Sequence, residues 1–312
     1  MDWVYTVIGL VLLLLAGDAL VKGAVNLSLR VGIPALVVSL TIVAFGTSAP
    51  ELLISIKAIM DNVPELALGN VVGSNTANIL LVLGIPALIA TMHTSHHDTR
   101  ASYLQMIFAS VLFIALCFMG PLNWVKGIVL LLALAAMIGH AVYGAMQHRA
   151  ERAALEEEVE GADPDITWPK IGFFLVAGLI GLPLGANLLV EGATNIALHY
   201  GVSEAVIGLT LVAIGTSLPE LATTVMAVVR KQADVALGNV IGSNMFNLLA
   251  IIGISTLFGT IPVDPNFLQF DLWVMLAASL LLIPFVFMRR DLTRVSGVIL
   301  TALYLAYLFV LL

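Results

Sequence analysis

A chain of 312 residues with 60% hydrophobic and 11% charged side chains, and a mean hydropathy of +1.06, has too few charges to cover a water-facing surface; soluble domains carry about 25%. This disfavours a soluble enzyme, a disordered regulator and a nucleic-acid binder together, and the net charge of −7 argues further against polyanionic partners. The one cysteine, Cys117, leaves no intrachain disulfide.

Crossing a bilayer takes about 20 mostly apolar residues. Ten stretches meet that length: 3–28, 34–60, 64–90, 102–119, 122–146, 170–198, 204–229, 233–258, 270–288 and 295–312. The first begins Met1-Asp2-Trp3 with no basic leader, and its apolar run is too long for a cleavable signal. The expected fold is therefore an all-α polytopic membrane protein with ten transmembrane helices. Lys and Arg mark the cytoplasmic side of such a chain. Lys22, Arg30, Arg100, Arg149, Arg152, Lys170, Arg230, Lys231, Arg289, Arg290 and Arg294 fall on the side reached after span 1; only Lys57 and Lys126 fall on the other. Both termini are expected outside. The one long polar segment, 147–169, carries Glu151, Glu156, Glu157, Glu158, Glu160, Asp163 and Asp165. It lacks EF-hand spacing and reads as an acidic cytoplasmic linker.

Self-comparison divides the chain. Residues 17–84 align with 186–253 at a constant offset of 169, and about 30 of the 68 positions are identical. The best-matched stretches are VAFGTSAPEL (43–52) against VAIGTSLPEL (212–221), and ALGNVVGSNTAN (67–78) against ALGNVIGSNMFN (236–247). The expected organisation is a first five-helix repeat over 1–146, the linker, and a second repeat over 170–312. Five is odd, so equivalent spans cross in opposite directions. The two repeats are then of inverted topology, a recurring transporter architecture with its ion site near the midplane.

Glu51 and Glu220 lie well inside spans 2 and 7. A charge at the bilayer centre costs a few kcal/mol on insertion scales, so two equivalent glutamates imply something that offsets it. Each follows a proline, in Gly46-Thr47-Ser48-Ala49-Pro50-Glu51 and Gly215-Thr216-Ser217-Leu218-Pro219-Glu220. Proline lacks an N–H and clashes one turn back, so each helix should bend or open there. The opened turn is expected to free main-chain carbonyls, among them those of Ala44, Ala213, Thr47 and Thr216. With the hydroxyls of Thr47, Ser48, Thr216 and Ser217 these make an oxygen-rich cluster beside each carboxylate. On spans 3 and 8, Asn70, Ser74 and Asn78, like Asn239, Ser243 and Asn247, repeat every four residues and form a polar stripe. Ser74, Asn78, Ser243 and Asn247 are read as cation ligands; Asn70, Asn75, Asn239 and Asn244 as structural. Carboxylate, amide, hydroxyl and carbonyl oxygens suit calcium, magnesium or alkali cations. Neither motif holds a Cys or His, which makes zinc and copper poor candidates. An intramembrane hydrolase is disfavoured because no His or Lys is placed to activate Ser48 or Ser217.

These motifs resemble those of the cation/calcium exchanger superfamily, especially prokaryotic sodium/calcium antiporters, over most of the chain. The resemblance implies a secondary antiporter exchanging calcium for sodium by alternating access, in the plasma (inner) membrane of a prokaryote. It implies calcium and sodium as transported ions, the lipid bilayer as partner, no cofactor, no enzymatic activity, and a chain able to act as a monomer. Mapped by position, the acids are Glu51 and Glu220. The hydroxyl partners are Thr47, Ser48, Thr216, Ser217, Ser74 and Ser243, and the amides are Asn78 and Asn247. Spans 1 and 6 would slide as a gating pair. One departure matters: many such exchangers carry an aspartate where this chain has Asn247, and proton-coupled relatives often use amides there. A proton-coupled calcium or cation antiporter is the alternative.

Asp18 and Lys22 in span 1 are spaced for a local ion pair, with gating as the other reading. His93, His96 and His97 fall in a solvated loop, and His140 and His199 near the interface.

Overall fold

The computed structural model describes residues 2–94, 99–147, 166–201 and 213–311, with residues 145–147 and 213 described by backbone alone. Most of the acidic linker (148–165), His96, His97 and the first part of span 7 (204–212) lie outside the described residues. Among the described residues, eight helices are long and apolar enough to cross a membrane, nine if one bent pair is a single span. We label them α1 (Asp2–Val31), α2 (Ala35–Thr47 bent into Ala49–Met60), α3 (Glu65–Ile89), α4 (Arg100–Phe118), α5 (Trp124–Gln147) and α6 (Trp168–His199). A shorter apolar helix, α7 (Leu218–Val229), follows, then α8 (Ala233–Ser255), α9 (Phe267–Phe287) and α10 (Arg294–Leu311). The expected span positions therefore recur as helices wherever the chain is described.

Burial sorts these helices. An 18-residue window of α8 is buried throughout and 78% of the one in α3, against 17% in α10. The polar stripes on α3 and α8 thus face protein, while side chains such as Trp3, Leu15, Phe173 and Phe309 point outward. An apolar exterior around a polar axis is the arrangement that lipid solvent selects.

Helices α1 and α6 pack together backbone to backbone. A Cβ on Gly9 would lie 2.5 Å from Leu189 N, and one on Gly185 would lie 2.9 Å from Leu13 N, so glycine permits this approach. Leu13, Ala16, Leu20 and Ala24 of α1, with Leu182 and Ala186 of α6, join Val38, Val43 and Ala222 in an apolar cluster separate from the main core. Asp18 does make its local pair with Lys22, at 3.2 Å. It also accepts a hydrogen bond from Arg230 Nε, at 2.5 Å, across 212 residues of sequence.

Segments expected on one side of the membrane come together. Arg30 Nη2 donates to the Ile166 carbonyl, and His93 Nδ1 lies 2.9 Å from Asp291 Oδ2. Met92 pairs with Leu292 in an isolated antiparallel bridge, and Leu122 pairs with Ile261 in another. Met92 and Ile261 are 169 apart, and Leu122 and Leu292 are 170 apart. Each bridge is therefore the repeat counterpart of the other, beyond the aligned segment.

A buried cluster of carboxylates, amides and hydroxyls

The prolines act as their chemistry requires. Helix α2 bends by 43° between Thr47 and Ala49. Ser48 (φ −87°, ψ 6°) and Ser217 (φ −87°, ψ 3°) leave the helical region in the same way. Each is the N-cap of the helix that follows, with Pro50 or Pro219 in its first turn. Glu51 and Glu220 are therefore first-turn residues, held at the positive end of a helix dipole. The Ala44 carbonyl departs from expectation. It accepts the Ser48 N–H at 3.1 Å, so the bend does not free it; the one Thr47 hydroxyl hydrogen, also 3.3 Å from it, is shared with Asn239 Oδ1. Ala213 opens the described part of its segment, and its main chain continues through Gly215 as a helical turn.

A second pair of irregularities is not visible in the sequence. Helix α3 widens into a π-helical turn over Asn78–Val82, and α8 does so over Asn247–Ile251. Each begins at the last amide of its stripe. Such turns are frequent at functional sites because they redirect a side chain without ending the helix.

Four asparagines tie this framework together. Asn70 Nδ2 donates to the Glu51 carbonyl at 3.3 Å and to Ser55 Oγ at 3.2 Å. Asn239 Nδ2 donates to the Glu220 carbonyl at 3.3 Å and to Thr224 Oγ1 at 3.2 Å. Asn75 Nδ2 donates to the Asn244 carbonyl at 3.1 Å, and Asn244 Nδ2 returns a bond to the Asn75 carbonyl at 3.3 Å. A reciprocal exchange between equivalent residues is the mark of a two-fold relation.

Within this framework Glu51 and Glu220 are 1% and 0% exposed, and the Glu220 carboxyl is near enough to act electrostatically on Glu51. Ser48 Oγ donates to Glu220 Oε1 at 2.9 Å. Thr47 Oγ1 donates to Asn239 Oδ1 at 3.3 Å. Asn78 Nδ2 donates to Asn244 Oδ1 at 3.0 Å. Among the described residues, several buried polar atoms have no hydrogen-bond partner: both carboxylate oxygens of Glu51, Glu220 Oε2, the hydroxyls of Ser74, Ser217 and Ser243, Oδ1 of Asn75 and Asn78, and both amide atoms of Asn247. Buried polar groups are otherwise nearly always paired, and nearly all of these atoms are oxygens in the two motifs. Such a cluster offers the ligand chemistry of a hard cation. No group of three His, Cys, Asp or Glu residues placed to hold a metal ion occurs among the described residues, so the acids seen in the cluster are Glu51 and Glu220. Thr216 is half-buried.

Comparison with known proteins gives a consistent result. The sequence model described as sodium/calcium exchanger protein matches residues 1–143 and 170–312. The putative antiporter CaxA of Alkalimonas amylolytica is 35% identical over 99% of this chain and 98% of its own length. The sodium/calcium exchanger MaX1 of Methanosarcina acetivorans is 33% identical over 99% and 98%. A structure of the sodium-calcium exchanger NCX_Mj soaked with 10 mM Na+ and 10 mM Sr2+ superposes with a TM-score of 0.81 at 31% identity, covering 98% of this chain and 96% of that one. Both the sequence and the arrangement of helices lead to one conclusion: the chain belongs to the sodium/calcium exchanger protein family, a family of transporters.

Proposed function

We propose that this protein is a secondary active antiporter exchanging calcium for sodium by alternating access at the Glu51–Glu220 cluster. The observation that carries the reading is the set of buried, unpartnered oxygens contributed by both repeats around two carboxylates. Two carboxylates in one dry cluster repel each other and lose hydration, and a divalent cation between them offsets both costs. Two sodium ions balance the same charge. Calcium is held by Glu51 and Glu220, with oxygens from Thr47, Ser48, Thr216, Ser217, Ser74, Ser243, Asn78 and Asn247. The Ala44 and Ala213 carbonyls complete the shell, Ala44 by exchanging a hydrogen bond for the ion. A filled cluster crosses between the two access states; an empty, doubly negative one does not.

The architecture proposed is ten transmembrane helices in two inverted five-helix repeats, 1–146 and 170–312, joined by the acidic linker 147–169. The repeat counterparts Met92–Leu292 and Leu122–Ile261 support it. Both termini lie outside, in the plasma membrane of a prokaryote, and one chain suffices for transport. The reading needs no cofactor.

One observation favours a second reading. Asn247 places an amide where an acid would add a third charge, which lowers the demand for compensating cations and suits proton coupling. The test is calcium uptake into proteoliposomes loaded with sodium, with the outside sodium-free or sodium-matched and pH equal on both sides. Uptake driven by the sodium gradient alone is expected. Uptake only on imposing an acidic interior moves the protein to the proton-coupled reading, and uptake under neither gradient refutes both.

A further inference from the structure

We propose that Asn244, with Asn75 as its repeat counterpart, is a positioning residue that turns the side-chain carbonyls of Asn78 and Asn247 into the cation cluster. The inference rests on the cation-site reading above, and it concerns residues whose pattern in the sequence suggests structure alone.

The argument is one of donors and acceptors. An asparagine amide has a donor end and an acceptor end of nearly equal shape, so its orientation follows from its partners. A main-chain carbonyl only accepts. Because Asn244 reaches the Asn75 carbonyl at 3.3 Å, the end it offers there must be its NH2 group. Its Oδ1 is thereby fixed at the opposite end. That oxygen also only accepts, and it lies 3.0 Å from the Asn78 amide. Asn78 must therefore present its own NH2 group to Asn244, because the reverse orientation would set two oxygens 3.0 Å apart. The Asn78 Oδ1 is turned the other way, where it is buried without a partner. One main-chain bond thus dictates, through two side chains, that Asn78 offers the cluster an oxygen and not a pair of hydrogens.

The same logic runs in the second repeat, with one step incomplete. Asn75 reaches the Asn244 carbonyl at 3.1 Å, which fixes its NH2 end and leaves its Oδ1 buried and unpaired. Asn247, the counterpart of Asn78, has neither amide atom paired among the described residues. The acceptor that would align Asn247 by repeat equivalence, Asn75 Oδ1, is likewise unpaired there. Coordination of a cation by the Asn247 Oδ1 sends its NH2 group to Asn75. A neutral amide aligned this way donates a carbonyl dipole to the ion without adding charge, so the alignment sets affinity more than turnover.

The test is a double-mutant cycle on purified, reconstituted full-length protein. Wild type, Asn244→Leu, Asn78→Asp and the double variant are compared in two readouts: KM and kcat for calcium uptake, and the rise in thermal unfolding midpoint with added calcium chloride. A carboxylate presents an oxygen whichever way it turns, so Asn78→Asp removes the need for alignment. Asn244→Leu is expected to raise KM about ten-fold in the wild-type background, the scale of one buried hydrogen bond, with kcat changed less than about two-fold. In the Asn78→Asp background the same substitution should change KM by less than about two-fold, or lower it. Equal factors in both backgrounds assign Asn244 to packing and overturn the proposal. If Asn244→Leu yields no cooperative unfolding, Asn244→Ser is read in the same cycle with the same expectations. A wild-type protein that binds no calcium overturns the cation-site reading and this inference together, whereas wild-type binding with equal factors overturns this inference alone.

Discussion

The half-site around Glu51 and the half-site around Glu220 are built from nearly the same residues, yet they differ in what they have bonded. Asn70 and Asn239 hold the main chains of their glutamates at the same 3.3 Å, and Asn75 and Asn244 exchange bonds across the centre. The side chains at the ion cluster break this symmetry. Ser48 bonds Glu220, whereas Ser217 and Glu51, the mirror pair, have neither each other nor any partner among the described residues. Asn78 bonds Asn244, whereas Asn247 does not bond Asn75. The scaffold is doubled and the site is not. A symmetric scaffold can support the mirror arrangement at similar energy, so the asymmetry at the cluster is what the proposed alternating access requires of one of its two states.

The largest effect should come from removing charge. Glu51→Gln and Glu220→Gln are each expected to lower calcium uptake by more than about 100-fold, because one remaining carboxylate cannot neutralise a buried divalent ion and unpairing a buried charge costs about 3–5 kcal/mol. Near-normal uptake in either variant would show that the two half-sites do not act as one site.

Next come the framework bonds. Asn70→Leu and Asn239→Leu each remove two donated bonds, and each should destabilise the protein by about 1–3 kcal/mol. Asn239 also accepts the Thr47 hydroxyl, so its loss is expected to exceed that of Asn70 by about 1 kcal/mol, as measured by denaturant unfolding in detergent. A difference of several kcal/mol would place the asymmetry in the scaffold itself.

The serines sharpen the contrast at smaller scale. In calcium- and sodium-free buffer, Ser48→Ala breaks a hydrogen bond to a charged group and should cost about 1.5–3 kcal/mol. Ser217→Ala removes a hydroxyl with no partner among the described residues and should be close to neutral. With calcium added both variants should show a smaller thermal shift than wild type. Equal costs in ion-free buffer would mean that the two arrangements interchange freely.

Much of this was legible from sequence, and the remainder was hidden for identifiable reasons. Hydropathy located the spans because lipid leaves few other solutions, and the duplicated GTSxPE and GNxxGSN segments led to residues that do gather in one buried cluster. The prolines gave the bend. The sequence could not reveal that Ala44 keeps the Ser48 N–H at that bend, because the wide turn over Ser39–Val43 and the escape of Ser48 redistribute the carbonyl acceptors. Nor could it show which serine is bonded: Ser48 and Ser217 sit in matching motifs, and a repeat reads as symmetric whatever state its side chains adopt. Arg230 was invisible as a partner of Asp18 because spacing on one helix says nothing about a residue 212 positions away.

That last pair yields the smallest prediction. Asp18 of α1 is held by Arg230, just beyond the end of α7, as well as by Lys22. The counterparts at an offset of 169 are Asn187 for Asp18, Glu191 for Lys22 and Asp61 for Arg230, so the second repeat has no cation to make the mirror tether. The tether therefore fastens the α1–α6 pair at one end only. Its members are 23–25% exposed, so solvent screening keeps its worth at about 1 kcal/mol or less. Arg230→Gln should hardly change the unfolding midpoint. It should raise hydrogen exchange in the α1 residues around Asp18, since a loss of about 1 kcal/mol raises the open population roughly five-fold, while Asp61→Asn should leave exchange in α6 unchanged. Equal responses at both ends would mean that the α1–α6 pair is held by its glycine-lined packing alone and that the ion pair is incidental to it.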